Sequence, residues 1–205
     1  MITADIGTDH AFLPVYLLQH GICEKAYACD IAEGPLQSAL SNIRENCLED
    51  SIHVIKCDGF DGVPADTECA VIAGMGVFTA IGILERGMAR VADLKQVIVQ
   101  VNRSTDKLRK WISDHHFRID DEKTVYENGF DYEIVSFSCA YQEGYTEEQQ
   151  LLGPVLMEKR EPAYLAYCAR RLAKNEEILK LCADDAKRSS QLRKQSGYYR
   201  NILEQ

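Results

Sequence analysis

Three short stretches of this chain carry acids where a phosphate-binding loop would carry bare glycines. "TADIGTDHAFLP" (3–14) brings Asp5, Gly7 and Asp9 together, with His10 beside them. "KAYACDI" (25–31) closes on Asp30 and Ile31, and "IHVIKCD" (52–58) closes on Asp58, with Gly59 next. Further on, "AGMG" (73–76) and "QVN" (100–102) add Ala73, Gly74, Met75 and Asn102. Ionised carboxylates only accept hydrogen bonds, so three of them in one neighbourhood suit a ligand that is cationic and rich in donors.

S-adenosylmethionine is such a ligand. Its ammonium and sulfonium are positive, its ribose offers two hydroxyls, and its adenine offers an exocyclic amine. The spacing assigns Asp30 to the ribose hydroxyls and Asp58 to the adenine amine. Gly7 lets backbone approach the ligand closely. Asp9 is placed for the amino group of the methionine part or near the transferring methyl. Asp5, His10, Ile31, Gly59, Ala73 and Gly74 complete the expected cofactor set. A nicotinamide dinucleotide would want G-x-G-x-x-G, with amides facing a pyrophosphate. Asp9 and Ala11 or Phe12 occupy those later glycine positions, and a carboxylate beside a pyrophosphate is repulsive.

The elements that must hold these residues can be read in turn. "KAYACDI", "IHVIKCD", "CAVIAGM" (69–75) and "QVIVQVN" (96–102) read as buried parallel strands. Helical stretches lie between them at 10–21, 34–47, 78–91 and 104–116. Pro35 suits a first turn, a Ser/Thr/Asp cap opens the last of these, and Leu108, Trp111 and Ile112 share one face. Strand–helix alternation predicts a doubly wound α/β sheet, with ligands outside the carboxyl ends of the strands. "FRIDDEKTVYENG" (117–129) and "YEIVSFSCAY" (132–141) read as an antiparallel pair that closes it, an arrangement that fits Rossmann-like class I methyltransferases. After Thr146 the strand pattern stops. Residues 153–162 read as a linker or short helix. Leu165, Cys168, Leu172, Asn175, Leu179 and Cys182 then form a heptad-like seam, and Leu192, Gln195, Tyr199 and Ile202 a second one. The expectation is a domain over 1–150 and a C-terminal helical hairpin, with some coiled-coil character, over 151–205. A break falls near "ADDAK" (183–187).

Net charge is −9, but it is unevenly spread. Residues 1–150 hold 12 basic and 25 acidic residues, whereas 151–205 hold 11 and 7. An acidic body with a basic tail is compatible with an RNA partner held by the tail. The eight cysteines form no CxxC pair and read as reduced core thiols, and no clustered zinc spacing is present. No run approaches a membrane span of about 18 apolar residues. With no signal peptide before the first motif, the expectation is a soluble cytoplasmic protein without metal; oligomeric state is open, monomer included.

"ADIGTDHAFLP", "EGPLQSA", "VIAGMG", "VQVN", "DYEIV" and "LLGPVL" together resemble the bacterial tRNA adenine-22 N1-methyltransferase family, over nearly the whole chain. The family's first motif typically reads D-I-G-S-D-H-A-Y-L-P. The chain departs from the family at Val77, where the family has glycine in G-M-G-G, and at Val101, where it has proline in Q-P-N. Most family members also carry a helical segment with basic residues before the first strand, whereas four residues precede Asp5 here. The resemblance implies methyl transfer from S-adenosylmethionine to N1 of a tRNA adenine, unpaired or flipped out so that its Watson–Crick edge is free. Asp9, Asn102 and Met75 are then the expected catalytic residues. Backbone around Gly74 to Gly76, with Met75 or Phe78 against the ring, would cradle the base. His10 reads as a hydrogen-bonding residue at the helix start more than as a base. Arg170, Arg171, Lys174, Lys187, Arg188, Arg193, Lys194 and Arg200 would grip the RNA backbone; Lys107, Arg109 and Lys110 could meet phosphates, and a solvated helix face explains them equally well. Two alternatives stay open at this point: a methyltransferase acting on another acceptor, and a non-catalytic cofactor- or RNA-binding module.

Overall fold

The computed structural model describes residues 1–181 and 185–204. Seven strands form one sheet: β1 (Ile2–Ile6), β2 (Lys25–Asp30), β3 (Ile52–Lys56), β4 (Cys69–Met75), β5 (Gln96–Val101), β6 (Phe117–Glu127) and β7 (Phe130–Tyr141), in the order β3-β2-β1-β4-β5-β7-β6. The first five in that order run parallel, and β7 and β6 close the sheet antiparallel. This is the doubly wound, Rossmann-like arrangement expected from the alternation. Strand order reverses between β1 and β4, so the ligand crevice of such a sheet opens outside those two carboxyl ends.

Both faces are covered, which explains the unbroken apolar runs. On β2, Tyr27 and Cys29 join the core that also holds Ala4, Ile6, Ala70 and Ile72, while Ala26 and Ala28 face the other side, where Ala39 and Ile43 pack. The expectation of a buried strand fails at β3, which is an edge strand with only Ile52 of its five residues buried.

The helices are α1 (Phe12–Gln19), α2 (Glu33–Glu45), α3 (Val77–Arg86), α4 (Met88–Val91), α5 (Thr105–Asp114), α6 (Glu147–Leu152), α7 (Pro154–Lys159), α8 (Pro162–Leu181) and α9 (Ala186–Glu204). The helix expected over 78–91 is split at Gly87. A Cβ there would lie 2.3 Å from the Phe60 ring, so the chain turns where only glycine fits. The expected cap of α5 is absent as well: Ser104 adopts φ 63 and its side chain caps nothing. Leu108, Trp111 and Ile112 are buried as their spacing requires. The β6–β7 turn is tighter than expected, just Asn128 and Gly129, both at positive φ as two-residue hairpins prefer.

Helices α8 and α9 pack as the expected hairpin, and Cys168, Asn175, Tyr199 and Ile202 are buried in it. Cys182 and part of the anticipated break at 183–187 lie outside the described residues. The start of the tail is joined to the sheet at a buried ion pair: Arg109 Nε of α5 donates to Glu122 Oε1 of β6 at 2.6 Å, with neither side chain exposed. Arg109 also reaches Glu133 at 2.9 Å. Glu122 Oε2 accepts from the amide of Val155 at 2.9 Å, in the first turn of α7. Arg109, expected to meet phosphates, is thus wholly internal.

Candidate active site

The crevice at the switch point begins with a backbone turn. After β1 the chain turns at Gly7 (φ 79), and the amides of Gly7 and Thr8 both donate to Cys29 O at 2.8 Å. The turn is therefore pinned to the end of β2. A Cβ on Gly7 would lie 2.1 Å from Met75 Cε, so Met75 of β4 closes directly over the glycine. His10 and Ala11 continue at positive φ (56 and 54) before α1 begins.

A cavity of about 180 Å³ opens here, lined by Gly7, Asp30, Ile31, Asp58, Gly59 and Met75 among others. Asp30 accepts the Ala32 amide through Oδ1 at 2.7 Å, which fixes its carboxylate at the mouth of α2. Asp58 is half exposed and paired with Arg86 at 2.9 Å. Arg86, which also lines the cavity, is a neighbour that sequence reasoning misses. It stands in the last turn of α3, far in sequence from Asp58, and no local pattern links the two. Gly59 (φ 61) packs against Ile83, where a Cβ would sit 3.0 Å from a methyl.

The structure sets Asp5 apart from the other carboxylates. It lies inside β1, is 8% exposed, and accepts from Thr8 Oγ1 at 2.7 Å. It is not among the lining residues. Burial pushes its carboxyl up to about 6, with Thr8 opposing and Asp30 adding to the rise. Its place is in the strand just before the Gly7 turn, bonded to Thr8 of that turn. Asp9, by contrast, is exposed and stands 3.4 Å from His10 Nε2.

The loop after β4 is shaped by a register slip between Ile72 and Met75, which leaves Ala73 and Gly74 unpaired with β5. Gly74 takes φ 73, and its amide donates to Gln100 Oε1 at 2.8 Å. Asn102 Nδ2 donates back to Gly74 O at 3.0 Å, and the Asn102 amide donates to Met75 O at 2.9 Å. Asn102, Gly74 and Met75 are thus brought together, and Ala73 and Gly74 are exposed beside them. Phe78 is 71% exposed, with Lys107 Nζ over its ring at 4.6 Å. Phe12, where the first motif usually carries tyrosine, is 66% exposed and stacks on His10. The two departures, Val77 and Val101, are both buried and belong to the packed interior.

In the tail, several of the expected cations are already engaged. Arg170 is paired with Asp131, Lys194 with Glu147 and Arg200 with Glu176. Lys174, Lys187, Arg188 and Arg193 are exposed, with no ion pair among the described residues.

Comparison with known proteins places this geometry. The family model for tRNA (adenine(22)-N(1))-methyltransferase matches residues 3–200. The Bacillus subtilis tRNA (adenine(22)-N(1))-methyltransferase is 28% identical over 183 residues, covering 86% of this chain and 77% of that protein. Among solved structures, Streptococcus pneumoniae Sp1610 in complex with S-adenosyl-L-methionine is 30% identical, with a TM-score of 0.86 over 98% of this chain and 91% of that one. The M. capricolum TrmK complex with S-adenosyl-homocysteine is 26% identical, with a TM-score of 0.85 over 100% and 91%. With a family match spanning nearly its whole length, the chain belongs to the tRNA (adenine(22)-N(1))-methyltransferase family.

Proposed function

We propose that this chain is a cytoplasmic enzyme that transfers a methyl group from S-adenosylmethionine to N1 of adenine 22 in tRNA. The observation that carries this reading is the crevice at the switch point, where a glycine turn clamped to Cys29 O shares one cavity with Asp30 and Asp58. The donor set fits the cofactor. The turn at Gly7 lines the cavity, Asp30 can accept from ribose hydroxyls, and the Asp58 oxygen not bonded to Arg86 can accept from the adenine amine. When bound, the cofactor supplies an electrophilic methyl on a sulfonium.

Adenine N1 needs little activation. Its lone pair lies in the ring plane and is the nucleophile, and no proton has to leave before attack. The product is cationic, so alignment and local negative potential are what the protein must provide. Asp9, exposed two residues after Gly7, supplies that potential. Asn102 supplies alignment: with Nδ2 committed to Gly74 O, its Oδ1 remains an acceptor. An acceptor there matches the exocyclic amine of adenine and opposes the carbonyl that guanine carries in its place. The exposed rings of Phe12 and Phe78 offer faces on which a flipped base can stack.

Residues 1–150 serve as the catalytic unit. Residues 151–205 serve as the RNA-contacting unit, through Lys174, Lys187, Arg188 and Arg193. Nucleoside mass spectrometry of unmodified tRNA incubated with protein and cofactor tests the whole reading. The expected product is 1-methyladenosine, absent when A22 is replaced by G. Asp30→Ala should weaken cofactor binding in calorimetry, and Asp9→Ala should lower turnover at least as much as cofactor affinity. Cofactor binding with no product on any tRNA overturns the proposal.

A further inference from the structure

Asn102 borders a second cavity, of about 270 Å³, between the end of β5 and the helical hairpin. Its walls include Arg103, Ser104 and Asp106 from the entry to α5, and Tyr167, Arg171 and Tyr199 from α8 and α9. The first amides of a helix have no intrahelical acceptor, and the Ser104 side chain caps none of those in α5. The hydroxyl of Tyr199, a residue only 1% exposed, has no hydrogen-bond partner, and neither has Arg171 Nε. The two groups lie beside each other and influence each other's titration without meeting hydrogen-bond geometry. Burial pushes the Tyr199 phenol up, so it stays a donor at neutral pH. Arg103 is exposed and has no ion pair among the described residues.

Carboxylates stand in the same wall, but most are matched. Asp131 is held by Arg170 and Glu133 by Arg109, and Glu133 also lends negative potential to Arg171. Asp106 has no cationic partner among the described residues. The groups left over are therefore mainly donors: helix amides, two guanidinium groups and a phenol. The buried Tyr199 hydroxyl and Arg171 Nε call for an acceptor, and a helix N-terminus favours negative charge.

We propose that this cavity is a phosphate subsite that holds a backbone phosphodiester of the tRNA next to the target adenine. The proposal rests on the methyl-transfer reading above. It adds a specific anchor that joins the catalytic rim to the hairpin, distinct from the exposed lysines and arginines farther along the tail.

The test compares tRNA binding and cofactor binding in the full chain. Wild type is first titrated with unmodified tRNA over a range of salt, and separately with S-adenosylmethionine. The variant Arg103→Gln/Arg171→Gln should lower the slope of log Kd against log salt by roughly 0.7–0.9 per lost phosphate contact, with cofactor affinity unchanged. Tyr199→Phe keeps the ring and removes only the hydroxyl; it should raise the Kd for tRNA about three- to tenfold. Asp106→Asn should lower that Kd, because it removes the one unmatched negative charge. If Arg171→Gln fails to fold, Arg103→Gln and Tyr199→Phe decide the matter. Unchanged tRNA Kd and unchanged salt slope in these variants overturn the subsite. So does a result in which inorganic phosphate protects wild type against heat, the variants lose that protection, and tRNA binding does not change. A wild type that binds tRNA with the predicted variant effects but yields no 1-methyladenosine would sink the activity and leave the subsite standing.

Discussion

The carboxylates at the crevice rim and those at the joint between sheet and tail are the same chemical groups put to opposite uses. Asp30 and Asp58 stand at the rim partly open to solvent, and Asp9, two residues after Gly7, is exposed. Glu122, at the joint, has no exposed side-chain surface; one of its oxygens faces Arg109 and the other the first amides of α7. A carboxylate left half solvated can exchange water for a ligand at little cost. A carboxylate enclosed with an arginine cannot be released without stranding its partner. The difference predicts that substitutions at the joint act on folding, whereas substitutions at the rim act on the cofactor.

The largest effect should follow Glu122→Ala. Arg109 would keep Glu133 but lose its closest partner in a fully buried place, and the amides of Val155 and Leu156 would lose their acceptor. Removing one partner of a buried pair costs about 3–5 kcal/mol. Urea unfolding should show that loss. A cost below about 1 kcal/mol, the range of a surface pair, would break the comparison at its strongest point.

Asp5 tests the boundary between the two regions, because it lies just before the Gly7 turn yet is buried like the joint. Its carboxyl is raised from an ordinary 3.8 to about 6. A raised acid favours the fold while it is protonated in both states, and that advantage is lost as pH rises from about 4 through 6. Each tenfold gain in proton affinity on folding is worth about 1.4 kcal/mol, so ionised Asp5 costs the fold about 3 kcal/mol. Asp5→Asn should therefore raise the melting temperature at pH 7 and flatten its dependence between pH 4 and 6. A lower melting temperature at pH 7 would mean that the ionised form is what holds the Thr8 turn.

How much of this is legible in the sequence follows from the kind of force at each place. Strand–helix alternation and the apolar face of α5 can be read because burial imposes a period on neighbouring residues. The word "LLGPVL" is recognisable only as a resemblance, and the joint supplies its reason: a Cβ on Gly153 would lie 2.8 Å from Glu122 Oε2, and Pro154 opens α7. That constraint links residues 31 apart in sequence, so no local pattern could reveal it. The same holds for Arg109, which reads as a solvated helix cation until β6 and β7 fold over it. The acids at the rim are visible because each ends or follows a strand. Sequence could not distinguish Asp5, inside its strand, from Asp30, at the end of its own.

Gly7→Ala should act at the rim with a moderate effect. The left-handed conformation costs a non-glycine residue about 1–2 kcal/mol. The clash with Met75 Cε adds less, since the tip of that side chain can move. The expected result is a modest loss of stability with a larger loss of cofactor affinity, because the displaced methionine and the new methyl both occupy the crevice. Calorimetry beside thermal unfolding separates the two. A loss of stability with full cofactor affinity would place the ligand away from this turn.

Arg86→Ala should have the smallest effect and bears on the rim alone. Arg86 and Asp58 are each more than half exposed, so their 2.9 Å pair falls in the class worth about 0–1 kcal/mol. Its removal leaves both oxygens of Asp58 open to the cofactor adenine. Stability should barely change, and cofactor affinity should hold or tighten. A marked weakening would show that Asp58 serves the ligand only when Arg86 holds it in place. The rim would then rely on a matched pair as the joint does, and the line between the two regions would have to be drawn at burial rather than at pairing.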